Sequence, residues 1–389
     1  MRIALLVDVY LPFVSGVTYA VSLLAGELRR KGHEVHIFTS GTASTGTVSE
    51  HVHRVPGISL GRSGYTVAPS FPPDAQTKLR TMDVIHVHHP FGMGRLALRY
   101  AGDRAVPLIY TQHTRYDLYA KYYFPWPLSR LGPGLARRYL RRFCKRMDAV
   151  LAPTMSLKSL LRGWGIEPEA EIVPNGIDLD WIRTATPVSR TSLGLPEASP
   201  ILVFVGRLGS EKNLDFLLRA FARLATLDRR PHLLLIGDGR ERRKLEAFGA
   251  GAGIRDRVHF TGWVERSQIP AYLAHGFASV TASLTEVHPL TLLEAFGAGL
   301  PVVALRAPGV EDIVIHQENG LLCVPDEDAL VGSLRQLLSD PTTRERLALG
   351  AKVSAEGYSI ERTAERTLEV YRRCRGERRT KRASLAAAR

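Results

Sequence analysis

Short runs of β-branched and other apolar residues alternate along the chain with longer stretches in which apolar positions recur every three or four residues. Alternation of that kind predicts parallel sheets covered by helices, the α/β class. Arg2–Val7 reads as a buried strand, followed by a Pro/Ser/Gly loop, a helix from about Val17 to Lys31 closed by Gly32, and a strand at Glu34–Thr39. Val84–Val87, Pro107–Thr111, Ala149–Ala152 and Glu171–Val173 continue this series. A second series opens at Pro200, with strands Ile201–Val205, His232–Ile236, Val258–Phe260 and Ser279–Ser283 and helices Leu214–Leu224 and Arg240–Ala247. Each series begins with a strand, a Gly-containing turn and a helix, so two Rossmann-like halves are expected. The Pro-, Ser- and Thr-rich stretch Thr184–Pro200 is their expected linker. The boundaries then fall at 1–183, 184–358 and 359–389, the last holding a helix near Ser359–Arg373 and a basic, alanine-ended tail expected to be disordered.

Composition narrows the class. At 389 residues with 45% hydrophobic and 23% charged side chains, the chain can bury a sizeable core, which excludes disordered, collagen-like and disulfide-stapled classes. No uncharged apolar run approaches the roughly 18 residues that a spanning helix requires. The first such run, Ile3–Val7, is broken by Asp8 and lacks the long apolar region of a secretory signal, so a cytoplasmic protein is expected. Cys144, Cys323 and Cys374 lie far apart with no CxxC spacing, which suits a reducing compartment and offers no metal framework.

The net charge of +14 is uneven: residues 1–180 carry 22 Lys/Arg against 14 Asp/Glu, residues 181–370 carry 22 against 23, and residues 371–389 carry 8 against 1. A basic first half and tail beside a neutral second half imply an anionic partner, nucleic acid or membrane, for selected surfaces.

Four segments carry candidate chemistry. From Leu284 to Val303 a strand ends, a polar loop follows and Pro289 opens a helix. The amides of Leu290, Thr291 and Leu292 would then project from a helix N-terminus, where a phosphate can be held. Glu286 lies in the loop, and Glu294 sits roughly 7–8 Å along the axis from that terminus at ~1.5 Å per residue. One carboxylate could reach a sugar and the other a ribose across a diphosphate; solvated glutamates are the plain alternative. In Phe204–Asn213, Gly206 follows a strand and Arg207 and Lys212 lie before a helix, two cations able to neutralise a diphosphate without a metal. In Asp8–Thr18, Gly16 opens a helix where a missing side chain admits a phosphate, although no GxGxxG is present. Finally, His86-Val-His-His-Pro90 and Thr111-Gln-His-Thr-Arg-Tyr-Asp117 sit at strand ends. His86 and His88 lack an acidic or Cys partner for zinc, so His113 is the better active-site candidate.

Together these residues resemble the retaining glycosyltransferases of the GT-B fold, from Met1 to about Arg373. The carriers are Glu286-x7-Glu294 followed by Ala-Phe-Gly-Ala-Gly-Leu-Pro-Val, Gly206-Arg-Leu with Lys212-Asn213, and Val173-Pro-Asn-Gly-Ile-Asp178. The resemblance implies two Rossmann-like domains facing across a cleft, the first binding acceptor and the second nucleotide sugar, with the last helix crossing back to the first domain. It implies that Glu294 binds the ribose, that Glu286 meets the donor sugar, and that Arg207 and Lys212 hold the diphosphate. Gly16 would approach the phosphate or sugar and His113 would line the sugar site. Gly206, Val264, His288, Leu290 and Thr291 complete the implied donor side, and Tyr10, Tyr116 and Asp117 the acceptor side. His288-Pro289 departs from the aromatic-Gly pair of many relatives. The blocks Val84–Gly94 and Tyr110–Tyr119 and the Tyr10-Leu-Pro12 opening look most like the diacylglycerol glucosyltransferases.

The activity so implied is transfer of a hexose, from UDP in preference to GDP, to a lipid acceptor with retention and without metal or other cofactor. Residues 120–147 hold eight Lys/Arg and no Asp or Glu. Leu135, Tyr139, Phe143 and Met147 recur every four residues among Arg137, Arg138, Arg141 and Arg142, after a loop carrying Tyr122, Tyr123 and Trp126. That pattern describes an amphipathic helix suited to peripheral attachment at the inner face of an anionic membrane. The alternatives are a soluble or polysaccharide acceptor, a two-domain sugar-nucleotide epimerase, and a basic nucleic-acid-binding protein, which would leave Glu-x7-Glu unexplained; nucleic acid is not the expected partner.

Overall fold

A computed structural model of the chain describes residues 1–13, 15–41, 51–59, 66–101, 106–118 and 128–387. They divide into two units, Met1–Gly176 with Ile360–Arg389, and Ile177–Ser359. Each is built on a parallel sheet.

The first unit's sheet has seven strands in the order Val52–Val55, Glu34–Ser40, Arg2–Val7, Val84–Val87, Leu108–Thr111, Ala149–Ala152 and Glu171–Ile172. The strand Arg2–Val7 pairs with both Glu34–Ser40 and Val84–Val87, and Ile3 to Val7 are fully buried. A strand covered on both faces requires such an unbroken apolar run. The helix Gly16–Arg30 starts at a capping box formed by Ser15 and Thr18 and turns Val21, Leu24, Ala25 and Leu28 to the core. Against that core packs the helix Ile360–Ala387, through Ala364, Leu368, Tyr371 and Cys374.

The second unit's sheet has six strands in the order Val258–Gly262, His232–Ile236, Ile201–Val205, Ala278–Thr281, Val302–Leu305 and Gly320–Cys323, all parallel. The helix Leu214–Leu227 buries Leu217, Leu218, Phe221 and Leu224 at the expected helical spacing. In both sheets the first strand lies beside the fourth, so the chain leaves the first strand in opposite directions. Ligands of such sheets bind beyond the strand ends at this switch point.

Three expectations need correction. The division falls at Gly176/Ile177, not 183/184, because the helix Leu179–Arg183 belongs with the second unit, where Ile182 and Leu179 pack against Gly297. Thr184–Pro200 is a folded part of that unit, since the Arg190 guanidinium donates to the carbonyls of Pro196 at 2.7 Å and Ser199 at 3.3 Å. The basic tail is helical through Ala387. Its Arg, Lys, Leu and Ala are strong helix formers, and Arg378 ties it to Asp148 at 2.7 Å.

Candidate functional site

In the second unit, the loops after strands Ile201–Val205 and Ala278–Thr281 meet at the switch point. Gly206 leaves the first strand with its amide donating to Ile236 O at 3.0 Å. Beside it the backbone is so close that a Cβ on Gly237 would lie 2.1 Å from Gly206 O, so only glycine fits there. Lys212 follows on a short 3-10 turn, and its Nζ lies 2.5 Å from Glu286 Oε1. A small pocket at this edge is lined by Phe204, Lys212, Thr281, Glu286, Pro289 and Thr291. Burial alone would raise the Glu286 carboxyl, but the ion pair and hydrogen bond with Lys212 and a bond from Ser283 outweigh it and hold the group below its usual range. This edge therefore presents a charged, mutually neutralising pair in a concave setting, where one partner can be exchanged for an anion and the other for a hydroxyl.

Arg207 is more than half exposed and lies against Glu211, with Nη2 to Oε1 2.6 Å; it does not line the pocket. The helix begins at Leu290 with Pro289 as its cap, one residue later than the sequence indicated. Among the described residues no side chain caps this end, but the Leu292 amide donates to Pro289 O at 3.0 Å, which removes it from the three expected donors. Val264 is half-buried in the loop after strand Val258–Gly262 and is not among the pocket's lining residues. Buried His288 packs edge-on to Tyr358 with ring centres 5.6 Å apart. Its Nδ1 has no hydrogen-bond partner among the described residues, and burial drives its pKa down to about 3.

Glu294 is wholly buried in the helix Leu290–Gly297 and forms an ion pair with Arg266, whose guanidinium also sits 6.0 Å from the Trp181 ring centre. Nothing in the sequence pointed to Arg266, which lies in an unremarkable turn 28 positions away from its partner. The supporting roles of Ser283 and Gly309 were equally hidden, and that of Asn213 was not read although Lys212-Asn213 is one of the motifs that carry the resemblance. Asn213 takes a left-handed conformation, φ 54°, and its side chain donates to Ala282 O at 3.1 Å, tying the two loops together. A Cβ on Gly309 would lie 2.2 Å from Glu286 O, so that backbone supports the Glu286 loop from below. The Gly-Val after Pro308 is the signal that could have pointed to it.

In the first unit the matching edge is lined by imidazoles. Asp8 follows the first strand, and its carboxylate accepts from the Met93 amide at 2.6 Å and the Gly92 amide at 3.3 Å. Burial pushes this carboxyl above its usual range despite His89 and those two amides. His86 bonds Tyr371 Oη and Thr111 Oγ1, each at 2.7 Å, and burial lowers its pKa to about 3. His88 Nδ1 lies 2.9 Å from His113 Nε2, and burial, reinforced by the neighbouring imidazoles, drives His88 well below its usual range. Gly16 opens its helix behind the Ser15 cap, and no described protein atom lies within 4 Å of where its Cβ would be, so internal packing does not call for glycine there.

The remaining candidates of this unit lie around that edge. Tyr10 is half-buried against the core, Asp117 is held by Arg115 at 2.8 Å, and Tyr116 meets the Phe91 ring at 4.9 Å. Tyr122, Tyr123 and Trp126 lie outside the described residues. The helix Leu128–Cys144 exposes Arg137, Arg138, Arg141 and Arg142, but its apolar face is already covered. Leu140, Phe143 and Met147 are buried, with Phe143 against Tyr110, while Leu135 is 61% exposed and leaves the predicted stripe. Among the described residues no helix is long and apolar enough to cross a membrane.

Comparison with known proteins gives a consistent picture. Residues 14–181 match the family described as Glycosyltransferase Family 4, and residues 186–353 match Glycosyl transferases group 1. The chain is 28% identical over 376 residues to an alpha-monoglucosyldiacylglycerol synthase of Streptococcus pneumoniae, covering 92% of this chain and 83% of the relative. It is 30% identical over 391 residues to a D-inositol 3-phosphate glycosyltransferase of Frankia alni, covering 92% and 94%. Among solved structures, Anabaena Alr3699/HepE in complex with UDP superposes with a TM-score of 0.75 at 19% identity, covering 95% of this chain and 99% of that one.

Proposed function

Because the chain belongs to the group 1 and family 4 glycosyltransferases and has their GT-B fold, we propose that it moves a hexose from UDP to a lipid hydroxyl, with diacylglycerol the favoured acceptor. The observation that carries the donor half is the Lys212–Glu286 pair at the switch point of the second sheet. Lys212 and the helix amides of Leu290 and Thr291 take the developing diphosphate charge, with Arg207 turning from Glu211 to join them. Those groups supply the positive charge that a metal would otherwise bring. Glu286, freed from Lys212, accepts from hydroxyls of the sugar, and Glu294, turned from Arg266, binds the ribose. Among the described residues no carboxylate is set up as a covalent nucleophile, unlike the two-carboxylate scheme of retaining glycosidases. The leaving phosphate then deprotonates the acceptor on the same face of the sugar, which retains configuration, and His113 donates a hydrogen bond to the transferred hexose.

The Streptococcus pneumoniae relative's name and the exposed Arg137, Arg138, Arg141 and Arg142 support a lipid acceptor at an anionic membrane surface. With its apolar face packed inward, the helix attaches by charge, at about 1 kcal/mol per cation close to the surface. The Frankia alni relative favours a second reading, a soluble phosphorylated acceptor. One experiment decides between them: UDP- and GDP-hexoses are offered with diacylglycerol or inositol phosphate, and products are identified by mass spectrometry. Glycosylated diacylglycerol is expected, and sedimentation with anionic vesicles should be lost when the four arginines are changed to Ser. Transfer to inositol phosphate alone would establish the second reading, and equal binding to neutral vesicles would remove the electrostatic attachment.

A further inference from the structure

His88 is buried at the end of strand Val84–Val87, with only one of its two nitrogens engaged. Nδ1 lies 2.9 Å from His113 Nε2, while Nε2 is buried with no hydrogen-bond partner among the described residues. Its neighbours cannot supply one. The His86 ring, 4.2 Å away between centres, spends both nitrogens on Tyr371 Oη and Thr111 Oγ1, and His89 Nδ1 accepts from the Asp8 amide at 3.2 Å.

A single hydrogen bond joins the two imidazoles, so one of them must give the proton. If His113 gave it, His88 would carry its own proton on Nε2, a buried N–H with no acceptor among the described residues. If His88 gives it from Nδ1, only a lone pair is left unused, which is the cheaper arrangement for a buried group. We infer that His88 is a positioning residue that donates from Nδ1 to His113 Nε2 and thereby fixes His113 as its Nδ1–H tautomer. The consequence is chemical. His113 then carries its proton on Nδ1 and has Nε2 occupied by His88, so it has no basic nitrogen to offer, and in the proposed reaction it acts as a hydrogen-bond donor to a sugar oxygen and not as the base that deprotonates the acceptor. This consequence for transfer rests on the proposed role of His113, whereas the tautomer does not.

Nitrogen-15 NMR of the histidine-labelled full chain reads the tautomer directly, with the His113 signals assigned by their loss in His113→Asn. The wild-type spectrum is expected to show the proton on Nδ1. His88→Asn keeps an N–H near the same position and should retain that tautomer and the activity. His88→Asp offers only acceptors and should move the proton to Nε2 and lower kcat by about 10- to 100-fold, the size seen when a partner that orients a metal-bound histidine is lost. A wild-type His113 protonated on Nε2 overturns the inference even if every variant misfolds. An Nδ1–H spectrum with unimpaired transfer by His113→Ala leaves the positioning intact and removes the proposed role of His113.

Discussion

In the second unit charged groups come in pairs, Lys212 with Glu286 at the switch point and Arg266 with the buried Glu294 of the helix Leu290–Gly297. In the first unit the equivalent edge holds Asp8, His86, His88 and His89, whose buried environments all disfavour the charged form. The two sheets share their strand order for the strands they have in common, so topology does not dictate this difference. It comes from the residues that follow each strand. If the second unit receives the diphosphate, as proposed, it benefits from charges that can be exchanged for it, whereas neutral imidazoles give directional hydrogen bonds without competing for that charge.

The contrast can be broken most severely at Arg266. Changing it to Ala leaves the wholly buried Glu294 carboxylate without its cation, and removing one partner of a buried pair costs about 3–5 kcal/mol. Denaturant unfolding should report a loss of that size in the second unit, and Arg266→Ala combined with Glu294→Ala should recover much of it. A loss below about 1 kcal/mol would mean that the pair is no more than a surface contact.

Lys212→Ala comes next. It removes the cation proposed to neutralise the leaving diphosphate and should lower transfer by about 10²–10³ at saturating donor, with the fold retained. Near wild-type turnover would take the diphosphate role away from Lys212. The companion Glu286→Ala should chiefly reduce turnover and Glu294→Ala chiefly nucleotide affinity, and titration with UDP separates the two.

These groups were not equally legible in the sequence. Most strands were, because a run such as Ile201–Phe204, buried on both faces, must be apolar throughout, but the sheet strands Val52–Val55, Val302–Leu305 and Gly320–Cys323 were not read. Lys212 and Glu286 were also legible, since a strand, loop and helix in succession bring such residues to one edge, whereas Glu294 is buried against Arg266 and is not among the pocket's lining residues. Arg266 was not, for its meaning lies in a partner on another element. Leu135 misled because a four-residue spacing drifts around the helix, so the buried stripe passes instead through Leu140, Phe143 and Met147. The unit boundary was obscured for a similar reason. Pro and Ser in Thr184–Pro200 look like linker composition, but the carbonyls gathered by Arg190 make the stretch part of a fold.

Acid should expose the contrast between the units at intermediate size. A histidine buried as the neutral form has a lower pKa folded than unfolded, so the unfolded chain binds more protons below about 6.5. Its contribution is complete above that pH and is lost as pH falls from 6.5 towards the folded value, about 3 for His86. Each such group should cost up to about 1.4 kcal/mol per pH unit within that window. With His33, His36, His53, His86, His88 and His89 lowered in the first unit against His232, His259 and His288 in the second, the first unit should lose protection before the second. Hydrogen exchange resolved by unit at pH 7 and pH 5 measures this, and equal losses in both units would erase the distinction.

The smallest effect tests whether the charge state of Glu286 is set by Lys212 alone. Ser283 also bonds the Glu286 carboxylate and is buried beside it. Ser283→Ala removes that bond but leaves Lys212 in place, so the net cost should be about 0.5–1.5 kcal/mol. The sign of the pH effect follows from which form loses support. A bond to the ionised carboxylate favours that form, so losing it raises the Glu286 pKa towards the ordinary range. If ionised Glu286 is required for turnover, the acid limb of kcat/KM must then move to higher pH in Ser283→Ala, with the rate on the plateau little changed. A limb that stays where it is, measured with the same donor and acceptor, would assign the depressed pKa wholly to Lys212 and reduce Ser283 to its bond with the Glu211 carbonyl at 3.2 Å.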